Sequence, residues 1–74
     1  MNNLQNLTHA KLNQEYIITD IVSDDQELVD FLFTLGCYKG EIITVISILS
    51  GNYVICLKEA RYSINAQLAK AIII

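Results

Sequence analysis

The sequence predicts a mainly β domain with one α-helix, folded as a small, partly open barrel of about five strands. Three observations predict it. β-Branched aliphatic runs recur and the chain has no proline and no tryptophan, which favours strands over a helical bundle. One stretch, residues 24–35, carries apolar residues at helical spacing. Between it and the next β-branched run stand Gly36 and Gly40, bracketing a tight corner that can turn a helix into a strand.

Taken in order, residues 1–14 are a polar lead-in whose Leu4, Leu7 and Leu12 can lay a few leucines on the core. YIITDIVS, residues 16–23, reads as the first strand. Ser23-Asp24-Asp25-Gln26 has the pattern of a capping box, the Ser23 hydroxyl accepting from the Gln26 amide while the Gln26 side chain reaches back. Asp24, Asp25 and Glu27 place negative charge in the first turn, where the helix dipole favours it. Leu28, Phe31, Leu32 and Leu35 follow at i, i+3, i+4 and i+7, with Val29 and Phe33 on the shoulders of that stripe. Gly36 stands where a left-handed residue would end the helix. The helix thus falls between strand 1 and a central hairpin.

That hairpin runs from Glu41 to Leu49, turns at Ser50-Gly51-Asn52 and returns through Tyr53 to Leu57. Its strands are apolar on both faces, as in a sheet that closes on itself or is covered elsewhere. Lys58-Glu59-Ala60-Arg61 reads as a charged connection and Tyr62-Ser63-Ile64 as a short strand. Asn65 can cap a single helical turn through Ala66-Gln67-Leu68, and Ala71 to Ile74 should enter a sheet.

With 74 residues there is room for one domain, spanning 1–74, and one small core. A chain this short removes only about 60% of the surface its unfolded form exposes, so stability should be modest. The net charge is −3, and the five cations (Lys11, Lys39, Lys58, Arg61, Lys70) are scattered singly. Nucleic acid and anionic membrane surfaces, which select clustered basic residues, are therefore not the expected partners. The longest uncharged stretch, Ile42 to Leu57, is broken by Ser50-Gly51-Asn52 and is too short to span a bilayer. The N-terminus lacks the basic and apolar segments of a signal peptide, so a cytoplasmic location is expected. Nothing in the pattern fixes an oligomeric state.

Chemistry-bearing clusters are scarce. Cys37 and Cys56 match no metal or redox spacing and read as buried, reduced thiols. His9 is the only histidine, so neither a histidine-based metal site nor a catalytic dyad is indicated. Asp24, Asp25, Glu27 and Asp30 have the composition of a hard-cation site, but their place on a helix's first turn and solvent face explains them as capping and solubilising charge. The glycines fit neither a dinucleotide nor a phosphate loop, and no enzymatic activity is expected. Tyrosine offers rigid contact area with a polar tip. Tyr38, beside Lys39 in the corner, and Tyr62 are accordingly the candidate partner surface, with Leu35, Gly36 and Gly40 as the structural corner.

The run Leu35-Gly36-Cys37-Tyr38-Lys39-Gly40-Glu41-Ile42-Ile43-Thr44-Val45-Ile46 resembles the signature of the FeoA family. There a short helix ends in Leu-Gly-hydrophobic and a second glycine opens a strand. Ile64 to Ile74 is similar to the same family's end, and Leu4 and Leu7 fit its leucine-containing lead-in. Two positions depart: Lys39 stands where proline is common, and Lys58-Glu59-Ala60-Arg61 lacks the usual glycine. The resemblance implies an SH3-like barrel acting as a cytosolic accessory to bacterial ferrous iron transport. The partner it implies is the cytoplasmic GTPase domain of the membrane ferrous iron permease. It transfers no metal ligands, and no iron and no cofactor is expected. The alternative it carries is a regulatory domain of the kind appended to metal-dependent transcriptional repressors, disfavoured here by the lack of a DNA-binding helix-turn-helix.

Overall fold

The computed structural model describes residues 5–74. The chain is mainly β with one principal helix. A short 3₁₀ turn, Leu7–His9, leads into β1 (Glu15–Ile17), β2 (Asp20–Ile21), α1 (Gln26–Leu35), β3 (Ile42–Leu49), β4 (Asn52–Leu57), β5 (Ala60–Asn65), α2 (Ala66–Ala71) and β6 (Ile72–Ile73). A four-stranded antiparallel sheet has the order β1-β3-β4-β5, and β2 pairs with β6 in a second sheet.

The expected single strand over 16–23 is divided, and Ile18 divides it. Its side chain turns fully into the core, its N–H donates to the Glu41 carbonyl at 2.9 Å and its own carbonyl accepts from Gly40 at 2.8 Å. Thr19 and Val22 then donate to the carbonyls of Ile73 and Ala71, so the chain leaves one sheet and enters the other. Neighbouring β-branched residues carry no local signal of such a switch.

The start of α1 also differs from expectation. Asp25, in extended conformation, is the N-cap, and its carboxylate accepts from the N–H groups of Glu27 and Leu28. Ser23 instead accepts from the Asp25 N–H, and Gln26 donates to Asp30. Aspartate is at least as good a cap as serine, so the cap moves two residues along and the Ser23–Gln26 box does not form. The C-terminus follows expectation. Gly36 has φ +97°, its N–H reaches Phe33 and Leu32, and Cys37 donates back to Leu32 in a Schellman closure. Leu32 is fully buried, but Phe31 and Phe33 remain exposed.

The hairpin of β3 and β4 turns on two residues, Ser50 and Gly51, both at positive φ as type I′ geometry requires. Ile46 is an extra residue between the Val45↔Ile55 and Ser47↔Val54 pairs, a bulge that bends the strand. Ile43, Val45, Ile55 and Leu57 share the inner face and are buried. The outer face is apolar but left open at Ile42 and its partner Ile17, which corrects the expectation of strands covered on both sides. The expected charged connection is shorter than 58–61: Lys58 and Glu59 alone make the turn, and β5 takes in Ala60 and Arg61. Asn65 caps α2 by accepting from Leu68, and this helix continues past the single turn to Ala71.

At the N-terminal end, Leu7 is fully buried, Leu12 is exposed contrary to expectation, and Leu4 lies outside the described residues. His9 is exposed, and its Nδ1 accepts from the Asn6 N–H to complete a capping box on the 3₁₀ turn. The Ile74 N–H donates to the Gln5 carbonyl, fastening this segment to the end of the chain.

Candidate functional site

The corner between α1 and β3 is rigid by construction. After the Gly36 closure, Tyr38 donates to the Gly36 carbonyl and Glu41 to that of Tyr38. Gly40, at φ +92°, completes the reversal and donates to Ile18. Lys39 can occupy the position before Gly40 without proline because these hydrogen bonds hold the turn.

Out of this corner Tyr38 projects with 48% of its surface exposed, and Phe33 from the last turn of α1 lies against it. Their ring centroids are 5.8 Å apart and the planes 27° from parallel, an offset stack. From the β4–β5 turn, Lys58 reaches back so that its Nζ lies 5.0 Å from the Tyr38 ring centroid and 3.6 Å from the Glu41 carboxylate. The stem of Lys58 passes over Gly36, where an added Cβ would meet Nζ at 3.4 Å. Lys39 approaches Asp20 at 4.0 Å, a contact between two well-exposed side chains that contributes little. The corner is therefore an exposed aromatic pair held by one lysine, with a fixed backbone beneath it.

Of the sequence-predicted residues, the structure brings Leu35, Gly36, Tyr38, Lys39 and Gly40 together here, with Leu35 packed against the core. Tyr62 is placed differently. It stands on the inner face of β5 opposite Ile55, half-buried against the core, and no aromatic pairing joins it to Tyr38 among the described residues. Its alternation with buried Ile64 is the sequence signal for that face. The sequence does not mark Phe33 and Lys58 as surface residues. Phe33 reads as a shoulder of the core stripe, and the approach of Lys58 to Tyr38 spans twenty positions of sequence.

Chemically the corner offers aromatic contact area and one thiol. Cys37, just beneath it, is fully buried, and burial pushes its thiol up to about 11 against a smaller opposing pull from Lys58. Such a thiol is neutral and unreactive at physiological pH. Cys56 is half-buried in β4, and both cysteines are free. Among the described residues no three His, Cys, Asp or Glu side chains converge as metal ligands, and no pocket is present. No helix among them is long and apolar enough to cross a membrane.

Residues 5–74 match the family model described as the FeoA domain. No curated protein matches the chain. Among solved structures, the FeoA of Stenotrophomonas maltophilia complexed with zinc, described as a procaryotic SH3 domain protein, is similar over 95% of this chain and 89% of its own, at 14% identity and a TM-score of 0.83. An iron uptake regulatory protein, also FeoA, is similar over 90% of this chain and 88% of its own, at 21% identity and a TM-score of 0.80. A manganese-dependent transcriptional repressor gives a TM-score of 0.86 at 14% identity over 95% of this chain, which spans only 40% of that protein. These likenesses establish an SH3-like fold.

Proposed function

The chain belongs to the FeoA family, and from that premise we propose that it is a cytoplasmic, non-enzymatic accessory protein of bacterial ferrous iron transport. It acts by contact with the cytoplasmic GTPase domain of the membrane iron permease. The observation that carries this reading is the family match over residues 5–74. The corner supports contact as the mode of action, because it offers exposed aromatic area on a backbone that needs no reordering to bind. The test is to mix the purified protein with the soluble GTPase domain, and to measure association and hydrolysis rate with and without nucleotide. Association weakened by Tyr38→Ala in an unchanged fold supports the reading. Absence of association in every nucleotide state, with the intact permease as well, overturns it.

A second reading, a regulatory domain related to those of metal-dependent repressors, is favoured by the TM-score of 0.86 to the manganese-dependent repressor. Specific retention of this chain by such a repressor's DNA-binding portion, and none by the permease, would select it.

A further inference from the structure

Charge is segregated along this chain. All five cations lie outside residues 12–38, whereas six of the eight acids lie inside: Glu15, Asp20, Asp24, Asp25, Glu27 and Asp30. The last four stand exposed on α1 or on the turn that enters it. Among the described residues the ion pairs engage Asp20 and Glu41 and none of these four. The helix dipole accounts for Asp24, Asp25 and Glu27, but Asp30 lies beyond the first turn, where that effect has faded. At the far end of the same helix stands the exposed Phe33–Tyr38 stack. Asp30 is three positions before Phe33 and so adjacent to it on the helix surface. The aromatic anchor is thus continued along α1 by Asp30 and Glu27, with the Asp24–Asp25 pair at the helix start about 12 Å from Phe33.

We propose that this outward face of α1 docks a segment of a partner protein that carries an apolar anchor followed by a short cationic run. The anchor seats on Phe33 and Tyr38, and the cations lie along Asp30, Glu27 and the Asp24–Asp25 pair. Charge selects this occupant. Nucleic acid and anionic lipid are repelled by these carboxylates. A second copy presenting the same face would set acid against acid. The inference rests on reading the corner as a docking surface and does not require the partner to be the permease.

The test uses a synthetic peptide with a Trp-Leu anchor followed by four lysines, alongside a version with four glutamates and one whose anchor is Gly-Ser. Each peptide carries the same fluorophore at the end remote from the anchor, so fluorescence anisotropy reports the binding of all three on one scale. The lysine peptide should bind at least tenfold more tightly than either control, and should weaken as salt rises from about 50 mM to about 300 mM. Amide NMR shifts should be confined to α1 and residues 36–41. Asp30→Lys and Phe33→Ser should each weaken binding several-fold. Glu15→Lys, the same charge change on β1, should not. Equal affinity for the glutamate peptide, shifts centred elsewhere, equal loss in Glu15→Lys, or no binding of the lysine peptide would overturn the proposal. Association of the GTPase domain is read separately, so either result can fail alone.

Discussion

The turn between β4 and β5 places two non-glycine residues at positive φ, Lys58 at 53° and Glu59 at 67°. The register pairs Leu57 with Ala60, so the loop has two residues and must take the primed geometry that asparagine and glycine adopt readily. A side chain in that region costs roughly 1–2 kcal/mol. Lys58 is a poor site for relieving it, because its ammonium meets Glu41 and Tyr38. Glu59 is exposed and makes no side-chain hydrogen bond or ion pair among the described residues, so Glu59→Gly removes strain and no contact. Glycine also loosens the unfolded chain, offsetting about 0.4–1 kcal/mol of the gain. The expected net stabilisation is about 0.5–1 kcal/mol, which for a domain of this size raises the melting midpoint by roughly 2–8 °C. Thermal and urea unfolding measure it, with an unchanged urea slope expected because the exposed surface is the same. A midpoint that stays put or falls in Glu59→Gly would refute the assignment of strain to this turn.

Three further outcomes follow from the same geometry. Gly36→Val puts a β-branched residue at φ +97° beneath the Lys58 stem and should lose about 1–2 kcal/mol in urea unfolding; wild-type stability would mean that the helix ends some other way. Asp25→Ala, by removing the carboxylate that caps α1, should lose about 1 kcal/mol, while Ser23→Ala loses less. For Cys37, the folded thiol titrates at about 11, above the ordinary 9.0, because burial disfavours the thiolate. Its contribution to stability is therefore complete below pH 9 and is lost as pH rises toward 11. Cys37→Ala should flatten that alkaline decline, and in the native protein an alkylating reagent should modify Cys56 well before Cys37.

What could be read from the sequence was what depends on near neighbours. The α1 helix, the Gly36 stop, the Ser50-Gly51 reversal and the Asn65 cap each draw on residues near one another in sequence, and all four stand in the structure, although Phe31 of the apolar stripe faces solvent. The division of the first strand was not legible, because Ile18 is diverted by hydrogen bonds to Gly40 and Glu41, contributed from across the helix. The cap shifted because Ser23 and Asp25 both qualify locally and only the emerging chain direction chooses between them. At the corner, Tyr38 and Lys39 could be named from their place between two glycines. The partners that orient Tyr38 arrive from the end of α1 and from the β4–β5 turn, and neither approach has a sequence period. Tyr62 went to the inner face for the ordinary reason that a strand alternates.

The pairing of β6 with β2 has a consequence for biosynthesis. Ile72 and Ile73 are buried in the core, and the backbone of Thr19 and Val22, near the start of the chain, finds its acceptors only on Ile73 and Ala71. Until Ile73 has left the ribosomal tunnel, the early strands have no neighbour on that side and the interior lacks its last aliphatic layer. Such a chain cannot fold vectorially. It should acquire protease resistance in a single step once Ile72 and Ile73 are free to pair with β2, and a chain truncated after residue 70 should have none.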